Sequence, residues 1–272
     1  MASYKTLIVE EKNGIVWVTL NRPDKLNAFS AEMYQELATV IGEMESNHAL
    51  RVLIITGAGQ AFCAGAEISE LLEATENIET IHRRLLLSHS IGAGLRRLRQ
   101  PIIMAINGDA IGGGCSLALN GDLRVASEKA RFGLTFTRVG LAPDLGSIYN
   151  IVHLVGIGKA CELAFLADII EAREAERIGL INRVVAPEDL HPVVEEWAAR
   201  LARSPFLTLN LMKPALYKAL NMDFLAELED EINLQNLCLS SQDGKEGLRA
   251  FLEKRPPKYT DQYSNPKDCR RD

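Results

Sequence analysis

The stretch Ile102-Ile-Met-Ala-Ile-Asn-Gly-Asp-Ala-Ile-Gly-Gly-Gly-Cys-Ser-Leu-Ala-Leu119 decides the fold. Its apolar start reads as a buried strand, and Ser116 to Leu119 read as the first turn of a helix. Between them Gly112, Gly113 and Gly114 leave backbone uncovered, so N–H groups at a helix start point at whatever lies in front of the turn. An anion or a developing oxyanion is the natural guest. Glycines serve equally well to make a tight turn or to let a helix pack close to a strand, and this stretch alone does not choose.

A counterpart lies upstream. Residues 51–57 form a short apolar strand ended by glycine, which leads into a second glycine-punctuated turn, Gly59-Gln-Ala-Phe-Cys-Ala-Gly-Ala-Glu-Ile68. Before it, residues 4–10 and 15–20 are β-rich runs on either side of Asn13-Gly14, a strong hairpin signal. A loop over residues 21–28 follows, and Ser30 offers an N-cap. Met33, Leu37, Val40, Ile41 and Met44 then recur at helical spacing, which turns Glu32, Glu36, Glu43 and Glu45 to water. Residues 71–98 are helix-prone, with Leu87, Ile91 and Leu95 on one stripe, and either cover a site or move. Residues 122–127 read as a strand and 131–147 as a glycine-punctuated segment. Helices are expected over 158–166, 172–178, 190–202, 205–219, 224–239 and 244–253, with a short strand at 181–185. The chain divides into an α/β core, residues 1–200, and a helical appendage, residues 201–272, with no linker, low-complexity segment or repeat period. Residues after Tyr259 are expected to fray.

The 272 residues suffice for a sizeable core, and a net charge of −6 without any basic block disfavours nucleic acid as partner. Five cysteines, odd in number and without a C-x-x-C pair, suit reduced thiols in a cytoplasm and oppose a disulfide framework or a metal site. Residues 1–10 carry no basic segment followed by an apolar one, and no apolar run approaches the roughly 18 residues of a membrane span. A cytoplasmic protein away from membranes is expected.

If Ala66 and Gly113 present their N–H groups to one pocket, they make an oxyanion hole for a carbonyl that gains charge during reaction. Ala61, Ala64, Gly65, Gly112 and Gly114 keep the approach clear. Asn21-Arg-Pro-Asp-Lys-Leu-Asn-Ala28, Ala61-Phe-Cys-Ala-Gly-Ala-Glu-Ile68, Asn107-Gly-Asp-Ala-Ile-Gly-Gly-Gly-Cys115 and Asp122-Leu-Arg-Val-Ala-Ser127 occur in that order. Together they resemble the enoyl-CoA hydratase/isomerase family, the crotonase superfamily, along most of the chain. The resemblance implies an α/β spiral of ββα units with a C-terminal helical trimerisation domain, assembled as a homotrimer or dimer of trimers. It also implies an acyl-CoA thioester substrate, with coenzyme A as part of the substrate and no separate cofactor. The thioester carbonyl would sit between Ala66 and Gly113, where the enolate is stabilised. Arg22, Lys25, Ala64, Ile68, Lys254 and Lys258 are the coenzyme A contacts it suggests; as charges alone, the basic ones read equally as solvated surface.

The chain departs from the family's hydratases. Two glutamates hold water in those enzymes; Ser116 stands where the first is expected and Phe136 where the second is. Neither side chain is a carboxylate base. One acid remains, Asp144 in Gly140-Leu-Ala-Pro-Asp-Leu-Gly146, at the offset where double-bond isomerases of the family, such as that of phenylacetate degradation, carry an acid/base aspartate. A single carboxylate can take a proton from one carbon and return it to another, so isomerisation fits better than hydration. Desolvation beside Phe136 should raise the Asp144 pKa. The other readings are a hydratase with atypical water activation, an aspartate nucleophile as in aryl-CoA dehalogenases, and a non-catalytic or RNA-binding homologue, which the acidic first helix opposes. Asp144 could also be a plain helix N-cap, Ser116 an ordinary helix-start residue, and Cys63 and Cys115 small fillers. His82 and His89 either face the pocket or do not.

Overall fold

The computed structural model describes residues 4–260. The fraying expected near the C-terminus, Cys269 and the first three residues therefore fall largely or wholly outside the described residues.

Strands β1 (Leu7–Lys12) and β2 (Ile15–Leu20) form the expected antiparallel hairpin. Asn13 and Gly14 both have positive φ, 56° and 77°, which a two-residue turn of matching twist demands. Helix α1 (Ala31–Ser46) starts where Ser30 Oγ accepts from the Met33 N–H at 3.2 Å, and it buries the five predicted residues plus Tyr34. Glu36 departs from expectation. Its carboxylate accepts from the Lys5 and Thr6 N–H groups at 2.7 and 2.9 Å and clamps the chain ahead of β1 to the helix.

Next come β3 (Val52–Gly57), β4 (Ala61–Cys63), α2 (Ile68–Ala74) and α3 (Ile78–Arg97). The long stretch at 71–98 thus breaks in two, because Asn77 Oδ1 caps α3 through the Glu79 and Thr80 N–H groups. The central motif forms β5 (Ile102–Ile106), β6 (Asp109–Ile111) and α4 (Gly113–Ala118). After β7 (Leu123–Ser127) and β8 (Arg131–Gly133) run α5 (Ser147–Leu166), β9 (Ile170–Glu171), α6 (Ala172–Arg177), β10 (Arg183–Val185) and α7 (Leu190–Ala202). The chain closes with α8 (Phe206–Ala219), α9 (Phe224–Ser240) and α10 (Gln242–Leu252).

Two sheets organise the core. One runs β1-β2-β3-β5-β7-β10, parallel from β2 onward; the other runs β4-β6-β8-β9. Each turn of the chain lays one strand on the large sheet, one on the small sheet and then a helix, so the units stack as a spiral. The apolar runs are continuous because the large sheet is covered on both faces. Leu53, Ile55, Ile102, Met104 and Ile106 face the main core with α1 and α3, while Val52, Ile54, Ile103 and Ala105 pack with Val194 and Ala198 of α7.

Helix α5 is longer than the expected 158–166 segment. Its length and mean hydropathy of 1.2 would suit a membrane span, but Gly156 (φ 75°, ψ 161°) breaks it in two, leaving each part short of the roughly 20 residues required.

Candidate active site

A cavity of about 580 Å³ opens where the two glycine turns meet beneath α2 and α3. Gly65 and Gly113 are the hinge points of the two turns. A Cβ on Gly65 (φ 98°) would lie 3.3 Å from Gly113 N, and one on Gly113 would lie 3.7 Å from Gly65 Cα. Gly114 has a different reason: a Cβ there would lie 2.0 Å from the Cys63 carbonyl oxygen, so glycine lets α4 sit against β4. Cys63 and Cys115 fill space beneath the turns, and burial raises both thiols to about 12.

Backbone pairing orients Ala66. The Phe29 N–H donates to the Gly65 carbonyl at 2.7 Å and the Glu67 N–H donates to the Phe29 carbonyl at 3.0 Å, a one-residue parallel bridge. Alternation along an extended chain then turns the Ala66 N–H away from Phe29. Gly113 opens α4, whose first intrahelical bond is Ser116 N–H to the Gly112 carbonyl at 3.0 Å, so the Gly113 N–H is outside the helical ladder. Both Ala66 and Gly113 line the cavity.

Asp144 lines it as well, and among the described residues it is the one carboxylate that does. It is no N-cap: α5 starts after Gly146, and only the Asp144 backbone carbonyl takes part, accepting from Ser147 N–H at 3.0 Å and Oγ at 2.7 Å. Leu145 next to it holds φ 57°, which costs a non-glycine residue roughly 1–2 kcal/mol. Burial of the Leu145 side chain and a 2.8 Å bond from Asn120 Nδ2 to its carbonyl keep the turn in place. Asp144 Oδ2 accepts from Ser88 Oγ at 3.2 Å, and Oδ1 is buried without a partner. Desolvation raises the carboxyl above the usual aspartate range, against smaller opposing effects of Ser88, His89 and Arg84.

Ser116 is fully buried and turns its hydroxyl to the Gly112 carbonyl at 3.4 Å, as a helix-start residue would. Phe136 lines the cavity, whereas Phe132 and Leu134 are core. His82 and His89 are both exposed and line no part of this cavity; His89 borders a separate cleft near Arg96 and Tyr149. Ala64 and Ile68 are on the wall, but Arg22, Lys25, Lys254 and Lys258 are not. Arg22 is engaged internally, donating to Glu67 at 2.6 Å and to the Ala28 carbonyl at 2.7 Å; Lys25 shares Glu67 at 3.5 Å and is half exposed. Sequence reading passed over Ser88, Tyr34 and Arg84, all on the cavity wall. The available signal for Ser88 was its place beside the Leu87, Ile91, Leu95 stripe, where a polar residue is out of keeping with a buried face.

Comparison with known proteins gives a consistent result. Residues 10–262 match the family model described as enoyl-CoA hydratase/isomerase. A short-chain-enoyl-CoA hydratase of Clostridium acetobutylicum is 38% identical over 252 residues, covering 92% of this chain and 95% of that protein. A 1,2-epoxyphenylacetyl-CoA isomerase of Escherichia coli is 34% identical over 257 residues, covering 92% and 96% respectively. The crystal structure of an enoyl-CoA hydratase from Bacillus anthracis superposes with a TM-score of 0.90 at 33% identity, covering 95% of this chain and all of that one.

Proposed function

The chain belongs to the enoyl-CoA hydratase/isomerase family, and from that premise we propose that it is an enoyl-CoA isomerase that shifts a double bond through a thioester enolate. The Ala66 and Gly113 N–H groups would hold the thioester oxygen as it gains charge, each donor contributing about 3–4 kcal/mol to the transition state. Asp144 would take the proton from one carbon and return it to another along the chain. The observation that carries this reading is the single carboxylate on the cavity wall, raised in pKa by burial and with one oxygen unpartnered. Ser116 faces into the helix and Phe136 is apolar, so no pair of carboxylates is present there to hold and activate a water. Asp144→Asn should abolish bond migration and leave binding of a coenzyme A ester nearly intact; unchanged turnover would sink the assignment.

Hydration is the second reading, favoured by the similarity to the short-chain-enoyl-CoA hydratase of Clostridium acetobutylicum. It would need water activated by Asp144 alone.

The proposed substrate is an acyl-CoA thioester, with coenzyme A as part of the substrate and no further cofactor. Lys25, Lys254 and Lys258 are proposed as phosphate contacts outside the acyl cavity. The helices beyond about residue 200 are proposed as an assembly domain that builds a trimer or a dimer of trimers. Support comes from apolar side chains there that the single chain leaves open, including Phe224, Phe251 and Leu252 at 75, 82 and 80% exposure. The cytoplasm is the proposed location.

A further inference from the structure

Asp144 has two oxygens in different surroundings. Oδ2 accepts from Ser88 Oγ at 3.2 Å, and Oδ1 is buried without a partner on a residue that lines the cavity. Ser88 is 2% exposed, so little solvent competes for its hydroxyl. The one proton of the Ser88 hydroxyl is committed to Asp144, and this bond ties α3 to the turn before α5.

We infer that Ser88 is a positioning residue: its hydroxyl fixes Oδ2 of Asp144 and thereby sets the plane of the carboxyl on the cavity wall. The inference rests on the isomerase reading for its effect on rate, but the hold of Ser88 on Asp144 stands apart from the reaction. With Oδ2 held, the carboxyl plane cannot rotate freely. The held carboxylate then removes the proton and carries it until it is returned; the C–H bond that breaks and the C–H bond that forms both exchange their proton with Asp144, so no external acid or base enters. The hydrogen bond also favours the ionised carboxylate, which is the form that must accept a proton. The other ionisable groups near Asp144 are Tyr34 of α1 and Arg84 and His89 of α3, the last two acting in the same sense; Arg138 of the segment before it lines the same cavity.

The test combines Ser88→Ala, Ser88→Thr and Ser88→Cys in the full-length protein. Steady-state rates of double-bond migration are measured against pH, and the Asp144 carboxyl is titrated by carbon-13 NMR. In Ser88→Ala the acid limb of kcat/KM and the Asp144 titration should both move to higher pH. The kcat should fall roughly 10–100-fold with KM little changed, less than the 10²–10⁴ expected for loss of the base itself. Ser88→Thr keeps the hydroxyl and should restore both curves, and Ser88→Cys, whose thiol is a weak donor, should give a smaller shift in the same direction. Should Ser88→Ala fail to fold, Ser88→Cys alone decides by the same titration. An Asp144 titration identical to wild type in the folded variant overturns the inference. Wild-type protein whose carboxyl responds to Ser88→Ala but which moves no double bond refutes the isomerase reading and upholds the hold of Ser88 on Asp144.

Discussion

Gly65→Ala tests how the two turns are held together. At Gly65 φ is 98°, outside the range L-residues adopt, and an added Cβ would lie 3.0 Å from the Ile111 carbonyl oxygen and 3.3 Å from Gly113 N. Neither neighbour can give easily. Ile111 sits in the pairing of β6 with β8, and the adjoining Gly112 N–H donates to the Gly133 carbonyl at 2.8 Å. The variant must therefore bear backbone strain of about 1–3 kcal/mol or spread the turns by a few tenths of an ångström. A spread moves the Gly113 N–H relative to Ala66, and full loss of one oxyanion donor costs about 10²–10³ in kcat. Urea unfolding should show a stability loss within that strain range. Turnover of an enoyl-CoA should fall by at least tenfold, toward the limit set by one lost donor, with KM changing much less. A variant that loses stability yet keeps the wild-type kcat would refute the claim that this contact sets the donor geometry.

Three further outcomes follow from the same structure. Asp144 has a raised pKa in the folded protein, so its ionisation opposes folding: between the unfolded and folded values the native state binds more protons, and stability falls as pH rises through the folded value. Asp144→Asn should therefore melt higher than wild type at neutral pH, an advantage that vanishes in acid below the unfolded pKa; a difference in melting temperature independent of pH would contradict this. Lys213, 7% exposed, pairs with Asp122 at 2.7 Å, and Asp122 also accepts from Tyr217 Oη at 2.6 Å and from the Ile102 N–H at 2.7 Å, tying α8 to the first residue of β5. Lys213→Ala should cost about 3–5 kcal/mol in urea unfolding, as expected when half of a buried pair is removed; a loss below about 1 kcal/mol would show that Tyr217 and the backbone N–H suffice for Asp122. Replacing Phe224 and Phe251 together by lysine should shift the sedimentation of the protein from an assembly to the monomer; an unchanged coefficient would remove these helices from the proposed interface.

Much of the architecture was legible because burial leaves a periodic trace. The continuous run at Ile102 to Ile106 marks a strand covered on both faces, and the spacing of Met33, Leu37, Val40, Ile41 and Met44 marks the inner face of α1. The spiral itself was not legible as a repeat. Its successive large-sheet strands begin at Val52, Ile102, Leu123 and Arg183, and the helical insertions between them differ too much in length to leave a period. The first part of α5 was not expected, since the helix was placed to begin at Gly158; it starts at Ser147 and is interrupted only at Gly156. At the site, the glycine turns stood out through their residue types, and Asp144 through its offset in the motifs that resemble the family. Ser88 did not, since its partner is 56 residues away and only packing of α3 against the turn before α5 brings them together. The direction of the Ala66 N–H was likewise out of reach, because it depends on a bridge to Phe29 that no local pattern encodes.

The most direct test of the central claim is to follow the fate of the substrate with wild-type enzyme in isotopically labelled water, using a 3-enoyl-CoA and crotonyl-CoA in parallel. Conversion of the 3-enoyl thioester to the conjugated 2-enoyl thioester, with no labelled oxygen entering either acyl chain, is the predicted result. Labelled oxygen in a 3-hydroxyacyl product, formed faster than any bond migration, would contradict the account and make the protein a hydratase.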